Sequence, residues 1–269
     1  MVNIDLNMSH IIKFEKNTEL DCKVVNFSNI SFKIESGYVF EEFKIAFKTF
    51  GKLNEDKSNA ILVCHALTGD QFVAGKNPIT NRDGWWERMV GPNKPIDTNK
   101  YFVICTNVLG GCVGSTGPKE INHKTNSIYG QDFPTITIKD IVKAQKYLLD
   151  ALEIKKLFSL IGGSMGAMQV LQWTIDYPEN LLSAIHIAGA LKHSAQNIAF
   201  HEVGRQAIMN DPDWNDGNYI NLNTKPERGL AVARMIAHIT YLSDDAMHRK
   251  FGRKLQSRDI ISFGFDADF

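Results

Sequence analysis

Short, wholly apolar runs alternate with segments of helical period through the middle of the chain. Apolar residues between 138 and 152, and again between 168 and 175, recur with helical spacing. Runs without polar alternation are typical of parallel strands that are buried on both faces of a sheet. Strands alternating with helices are joined by right-handed crossovers. The pattern predicts an α/β fold with a mostly parallel sheet, whose strands lie at residues 60–64, 101–105, 157–161 and 184–188.

The N-terminal part of the chain follows a different pattern. Residues 24–34 and 37–50 are predicted to be strands, and from Phe43 to Thr49 the side chains alternate with a period of two. Residues up to about Leu20 are predicted to form a loosely ordered leader.

The pattern changes again after Gly189. Helices are predicted at residues 193–209, 228–242 and 244–255, and no strand pattern occurs among them. We therefore expect two domains. Residues 1–189 would form the α/β core, and residues 190–269 would form a helical cap that leaves the C-terminal strands of the core missing.

Composition narrows the class of protein. Of 269 residues, 43% are hydrophobic and 22% are charged, and 30 basic side chains balance 30 acidic ones. This balance predicts neither a nucleic acid nor a membrane surface as partner. The chain contains no stretch near the roughly 18 apolar residues that span a bilayer and no signal peptide at its start. Its four cysteines form no C-x-x-C pair, so buried thiols in a reducing cytoplasm are expected.

The strongest chemical motif is Gly-Gly-Ser-Met-Gly at residues 162–166, between a predicted strand and a predicted helix. This G-x-S-x-G pattern in a strand–turn–helix context is typical of a nucleophile elbow. Glycines two residues before and after the serine allow neighbouring segments to approach closely. We predict Ser164 as the nucleophile. The alternative is a glycine-rich turn that happens to contain a serine.

A serine nucleophile also needs an oxyanion hole and a base. The backbone N–H of Met165 is one predicted oxyanion donor, and that of Leu67, in the loop after an early strand, is the other. His65 lies in the same loop, where a structural role is favoured over a catalytic one. The downstream histidines are also predicted to be structural, because none follows a late strand: His186, His193, His201, His238 and His248.

A glycine-rich loop at residues 107–118 follows the second apolar run. Its spacing matches neither the dinucleotide fingerprint nor the P-loop, so a shaped active-site loop is predicted. A role for Cys112 of this loop as a reactive thiol is a less favoured alternative.

Taken together, these motifs resemble one enzyme family, the homoserine O-acetyltransferases, which are acyl-CoA-dependent members of the α/β-hydrolase superfamily. The loop at residues 107–118 and the helix at 230–242 are more discriminating than the serine motif. The resemblance covers the N-terminal part of the family pattern. It is carried by residues 65–70, 84–86, 91–92, 96–98, 101–105, 107–118, 162–173 and 230–242.

The resemblance implies that Ser164 takes an acetyl group from acetyl-CoA and passes it to the hydroxyl of L-homoserine, by a ping-pong route in methionine biosynthesis. It implies that Arg234 and Tyr241 face the homoserine, and a guanidinium suits an amino-acid carboxylate. Arg205 is the alternative candidate for the residue that binds the carboxylate. Acetyl-CoA would be a co-substrate, with no bound cofactor or metal, and the enzyme would be a cytoplasmic homodimer packed through the cap.

The family pattern also includes a catalytic Asp and His that follow late strands. We expect these beyond Phe269, so that the chain is truncated and inactive alone. Two alternatives remain open: a serine esterase on the same fold, and a non-catalytic fragment that needs a complementary chain. The choice between an acetyl and a succinyl donor also stays open.

Overall fold

A computed structural model describes residues 11–252 of the chain. The described residues fall into two compact units, one ending at Leu191 and one beginning at Lys192.

The first unit is built on strands and two long helices. Its helices are α1 (Ile138–Ala151) and α2 (Met165–Asp176). Its strands, in chain order, are β1 (Ile11–Asn17), β2 (Cys22–Lys33), β3 (Val39–Phe50), β4 (Ala60–Cys64), β5 (Val90–Gly91), β6 (Ile96–Asp97), β7 (Phe102–Thr106), β8 (Ile121–Asn122), β9 (Ser127–Ile128), β10 (Ser159–Gly163) and β11 (Ala184–Ile187).

Seven of these strands form one sheet in the order β1-β2-β3-β7-β4-β10-β11. The last four pair in parallel, and every residue of β4 and β7 is buried. The α/β prediction and its central strands are therefore confirmed. Burial on both faces explains why these runs carry no polar alternation.

The N-terminal strands pair antiparallel, and β3 joins them to the parallel part through β7. Phe27, Phe32 and Phe43 cluster here around Tyr147 of α1, with ring centroids 5.3–5.8 Å from that of Tyr147. The prediction of a loosely ordered leader is wrong for residues 11–17. These form β1, whose backbone pairs along β2 although its side chains are largely exposed.

Helix α1 begins where the sequence provides a strong cap. The Thr137 side chain accepts the backbone N–H of Asp140, and the Asp140 carboxylate accepts the N–H of Thr137 at 3.0 Å. This capping box satisfies two N–H groups that a helix start leaves unpaired. Helices α1 and α2 contribute Leu148, Leu149 and Trp173 to the main core, all essentially buried.

Strand β11 is the open edge of the sheet. The apolar run was predicted to be a buried strand, yet all four of its residues are exposed, Ile185 by 46% and Ile187 by 40%. The prediction of a strand is correct and that of burial is wrong, because within residues 11–252 β11 has only β10 beside it. Ile185 and Ile187 line an apolar groove of about 350 Å³ together with Trp86, Met89 and Phe158.

The second unit is helical in its described residues. It contains α3 (Ala195–Met209), a 3-10 turn (Pro212–Gly217), α4 (Glu227–Tyr241) and α5 (Asp244–Phe251). These match the predicted helices, except that residues 253–255 of the third lie outside the described residues.

Helices α3 and α4 pack tightly at Gly229. A Cβ on this residue would lie 2.3 Å from the Ala207 carbonyl oxygen, so only glycine fits. The buried Asp211 carboxylate accepts the N–H groups of Gly229 at 2.7 Å and Asp213 at 3.0 Å. These two bonds lower the pKa of Asp211 and fasten the turn to the start of α4. Among the described residues, no helix is long and apolar enough to cross a membrane.

Candidate active site

Ser164 lies at the turn from β10 into α2, as the motif predicts. Its backbone has φ 56° and ψ −121°, a conformation that costs a non-glycine residue of order 1–3 kcal/mol. The turn is fixed from the sheet side, because Ser164 N–H donates to the Ile187 carbonyl at 3.0 Å. The Ser164 side chain is exposed at the start of the helix. This is the geometry of a nucleophile elbow.

The flanking glycines are required by close backbone approach. A Cβ at Gly162 would lie 2.3 Å from the Gly166 carbonyl oxygen, and one at Gly166 would lie 2.2 Å from the Cys64 carbonyl oxygen. The first contact closes the turn on itself, and the second packs the helix start against the end of β4. A Cβ at Gly163, in contrast, would lie 3.9 Å from the Ile187 carbonyl oxygen, which is an ordinary van der Waals contact. Two of the three glycines of the motif are thus sterically necessary.

The backbone N–H groups of Met165 and Leu67 have no acceptor among the described residues. Met165 is the first residue of α2, where an N–H has no partner within the helix. Leu67 lies in a turn closed by Gly69 N–H, which donates to the Ala66 carbonyl at 2.9 Å. The carbonyl of Ser164, on the peptide that carries the Met165 N–H, accepts from Ala167 and Met168. The predicted oxyanion donors are therefore both unpaired, and that role stays a prediction.

His65 uses both ring nitrogens to hold this loop. Val108 N–H donates to His65 Nε2 at 3.2 Å, so Nδ1 carries the proton and donates to the Ala66 carbonyl at 2.7 Å. That carbonyl belongs to the peptide whose N–H is that of Leu67. Burial lowers the pKa of His65 and keeps the ring neutral. The geometry supports the structural role that the sequence favours, because no ring nitrogen is left to act as a base.

The glycine-rich loop at residues 107–118 is a buried structural element. Several of its N–H groups are paired within the fold: Asn107 and Thr116 donate to β3 carbonyls, and Gly110 donates to the Thr116 carbonyl. A Cβ at Gly117 would lie 2.1 Å from the Gly111 carbonyl oxygen. These bonds tie the loop to β3 and to itself.

Three of the four thiols are buried, as expected. Burial raises the pKa of Cys64 to about 12 and that of Cys105 well above its usual value. These thiols therefore stay protonated and unreactive. Cys112 is exposed.

No base is in place for Ser164 within residues 11–191. The hydroxyl makes no capping bond to α2, and no histidine or carboxylate of this unit hydrogen-bonds to it. His186 lies in β11, opposite Gly162 of β10. Its ring lies beside Gly189, where an added Cβ would come within 2.5 Å of Nε2. Among the described residues, no group of three or more His, Cys, Asp or Glu could hold a metal ion.

The predicted substrate residues lie on α4 of the helical unit. Arg234 and Tyr241 are seven positions apart, so they share one face of the helix, and both are exposed. His238 lies between them, with its ring centroid 6.3 Å from that of Tyr241. The substitute Arg205 is held by Glu202 on its own helix, with Nε 3.0 Å from the carboxylate. This leaves Arg234 the freer guanidinium of the two.

Comparison with known families decides the class of fold. A family model described as alpha/beta hydrolase fold matches residues 59–262. The chain belongs to the α/β-hydrolase fold family. The match spans both the Ser164 turn and the helical unit, so the predicted fold class is confirmed.

Relatives within this fold narrow the resemblance. The chain is 62% identical over 237 residues to homoserine O-acetyltransferase of Rhodospirillum rubrum. The matched region covers 88% of this chain and 61% of that protein. The homoserine O-acetyltransferase from Bacillus anthracis, known from a crystal structure, has 30% sequence identity to this chain and a TM-score of 0.77. The match covers 91% of this chain and 64% of the Bacillus anthracis chain. The crystal structure of esterase E22 has 31% sequence identity and a TM-score of 0.75, and the match covers 92% of this chain and 67% of the esterase chain. The chain thus spans about three fifths of the curated relatives it matches.

The sequence interpretation missed a set of buried polar side chains. Gln145 of α1 and Gln169 of α2 are essentially buried, and Gln169 hydrogen-bonds to the backbone of the His65 loop. One signal was available. Gln169 precedes Val170 and lies four residues before Trp173, so it occupies the apolar face of its helix, where a polar residue needs a partner.

The glycine contacts generate a paired prediction. We expect Gly162→Ala to lower the free energy of unfolding by about 1–3 kcal/mol or more, because its Cβ would press on the Gly166 carbonyl. Gly163→Ala, one residue further on, should change stability little. Urea unfolding of both variants measures this difference. Equal effects would mean that the elbow does not depend on the close approach.

Proposed function

We propose that this chain is the nucleophile-bearing part of a homoserine O-acetyltransferase. The observation that carries the proposal is the strained Ser164 elbow, followed directly by the unpaired N–H of Met165, with a second unpaired N–H at Leu67 in the loop after β4. High identity to curated homoserine O-acetyltransferases supports the substrate assignment. Acetyl-CoA and L-homoserine are the proposed substrates, and no metal or bound cofactor takes part in the proposed chemistry.

The proposed reaction has two half-reactions. Ser164 Oγ attacks the thioester carbonyl of acetyl-CoA, and the Leu67 and Met165 N–H groups stabilise the oxyanion that forms. A base takes the serine proton and returns it to the departing CoA thiolate. The homoserine hydroxyl then attacks the acetyl-serine ester and loses its proton to the same base. The acyl–Oγ bond breaks, the base returns the proton to Ser164 Oγ, and O-acetylhomoserine leaves. No base reaches Ser164 within residues 11–191. We therefore infer that the base is supplied by a segment equivalent to the part of the relatives that this chain does not match.

The open edge of the sheet supports that inference. Strand β11 exposes Ile185 and Ile187, and its outer backbone groups have no neighbouring strand in the described chain. An exposed, flat, apolar edge is a template for pairing with a further strand. We propose that polypeptide equivalent to the unmatched part of the relatives covers this edge and the adjoining groove and brings the catalytic Asp and His.

The acceptor site is proposed on α4. Arg234 would bind the homoserine carboxylate through its two-pronged guanidinium, and Tyr241, on the same face, would contact the same substrate. The amino acid would then be oriented with its hydroxyl free to react. The protein is proposed to act in the cytoplasm, in methionine biosynthesis.

A serine esterase is the second candidate. Esterase E22 shares the fold at a TM-score of 0.75, close to that of the acetyltransferase structure. The two functions share the acyl-serine step and differ in whether water or an amino-acid hydroxyl accepts the acyl group.

Activity should require the unmatched polypeptide. We expect the purified chain alone to release no CoA thiol from acetyl-CoA above background, because no base reaches Ser164 within residues 11–191. Co-expression with the part of the Rhodospirillum rubrum enzyme that the chain does not match should restore thiol release in the presence of homoserine. Ser164→Ala in this complex should abolish it.

Several results would contradict this picture. Robust turnover by the chain alone, lost in Ser164→Ala, would show that a base is present within it. Thiol release indifferent to homoserine would favour the esterase.

The exposed edge strand can be tested with two substitutions. Ile185→Asp should block the restoration of thiol release by co-expression. Ile121→Asp, which changes a similarly exposed isoleucine on the β8–β9 hairpin, should not block it.

A second test concerns the acceptor. In the restored complex we expect Arg234→Lys to weaken the homoserine step about 10-fold or more, because an ammonium cannot form the paired hydrogen bonds. Acetylation of Ser164 by acetyl-CoA should be retained. Arg205→Lys is the matched control and should leave both steps unchanged. Unaltered homoserine kinetics in Arg234→Lys would remove this residue from the site.

The helical unit is proposed to form a homodimer. Exposed apolar side chains on α3 and α4 provide the surface, namely Ile198, Val203, Leu230, Val232, Met235 and Ile239. Light scattering of the restored complex should give twice the mass of one chain pair. Val232→Asp with Ile239→Asp should reduce it to one pair. A restored complex that keeps the mass of one chain pair at micromolar concentration would contradict the proposed dimer.

A further inference from the structure

A continuous chain of buried hydrogen bonds runs from α2 through α1 to the loop after β4. Trp173 Nε1 donates to Gln145 Oε1 at 2.8 Å, and Gln145 Nε2 donates to Gln169 Oε1 at 2.8 Å. Gln169 Nε2 then donates to the His65 carbonyl at 3.2 Å. All four residues are at most 1% exposed. Buried polar groups in such a setting are costly unless each one is paired.

The direction of this chain is fixed at both ends. The Trp173 indole can only donate, so the oxygen of Gln145 must face it. The Gln145 amide nitrogen therefore faces Gln169, and also donates to Thr106 Oγ1 at 3.2 Å. Gln169 must then present its oxygen to Gln145 and its nitrogen to the backbone. The His65 carbonyl can only accept, which agrees with this orientation.

The amide of Gln169 joins two separate backbone segments. Besides the His65 carbonyl, its nitrogen donates to the Met165 carbonyl at 3.4 Å. Met165 carries one of the two unpaired N–H groups, and Leu67, two residues after His65, carries the other. The Leu67 side chain is 68% exposed and contributes little burial to fix its loop. A single buried side chain thus connects the helix start to the loop.

We propose that Gln169 is a positioning residue that sets the spacing of the two oxyanion donors, with Gln145 and Trp173 holding its amide in the donating orientation. The inference deepens the acyl-transfer function proposed above and rests on it for its catalytic consequence. Oxyanion donors act only when they are held near 2.7–3.1 Å from the developing charge. A displacement of the order of 1 Å can cost about 100-fold in rate.

Two substitutions separate hydrogen bonding from packing. Gln169→Glu keeps the shape of the side chain, but an ionised carboxylate cannot donate to the His65 carbonyl. Burial raises the pKa of a carboxylic acid, and the protonated form regains one O–H donor. Gln169→Met also keeps the length and has no donor at any pH. The matched control is Gln172→Glu on the same helix, whose amide bonds only to the nearby Asp176 among the described residues.

The primary measurement is amide hydrogen exchange of the chain itself, corrected for intrinsic rates. At about pH 8, where a buried glutamate of raised pKa can still ionise, Gln169→Glu should speed exchange at least 10-fold in segments 65–69 and 164–167. At about pH 5.5 its exchange should return towards that of the wild type, since the acid is protonated. Gln169→Met should exchange fast at both pH values, and Gln172→Glu should match the wild type in these segments. The titratable groups touching the network, His65 and Cys64, are both buried.

The second measurement uses the restored complex. We expect Gln169→Met to lower kcat for acyl transfer about 10- to 100-fold while the KM for acetyl-CoA changes little, because the donors act on the transition state. Partial recovery of kcat in Gln169→Glu at lower pH, relative to the wild type at the same pH, would match the exchange result.

Exchange that is unchanged in Gln169→Met, or accelerated equally across the whole chain, would overturn the inference. So would the absence of any pH-dependent recovery in Gln169→Glu. The exchange arm needs no acyl-transfer activity. If the restored complex lacks activity but the exchange pattern holds, the proposed function fails and the positioning role of Gln169 stands.

Discussion

The structure of the first unit depends on how closely three backbone segments approach around Ser164. Gly162 touches the Gly166 carbonyl, and Gly166 touches the Cys64 carbonyl, at distances that leave no room for a side chain. This crowding forces the serine into its positive-φ conformation and holds it there. The strain is maintained because β10, whose residues 159–162 are buried, is paired on both sides, with β4 and with β11.

A second constraint surrounds the first. The loops next to Ser164 are held by polar groups buried in the core, through the His65 imidazole and the amides of Gln145 and Gln169. Each of these side chains has its partners with usable geometry, so the network adds rigidity without leaving a buried group unpaired. The loops next to Ser164 are therefore held in place by the fold itself, as the proposed stabilisation of an oxyanion would require.

The edge of the sheet has the opposite character. From β7 to β10 the parallel strands are buried on both sides, whereas β11 exposes an apolar surface and unpaired backbone groups. The apolar composition of β11 fits a strand that another strand covers. The same sheet thus combines the tight turn at Ser164 with an uncovered edge strand, and this is why we propose that the base lies in the part of the relatives that this chain does not match.

The sequence by itself determined the local elements around the site. The wholly apolar runs gave β4, β7 and β10, helical spacing gave α1 and α2, and the glycine spacing located the turn at Ser164, because each of these signals arises from neighbours along the chain. It failed where neighbours in space decide the outcome. Whether residues 184–187 are buried depends on which strand lies beside them, and residues 11–17 form a strand only because β2 offers its edge. Only the tertiary structure brought Gln169, Gln145 and His65 together, since hydrogen bonds between residues as far as 104 positions apart leave no periodic trace in the sequence.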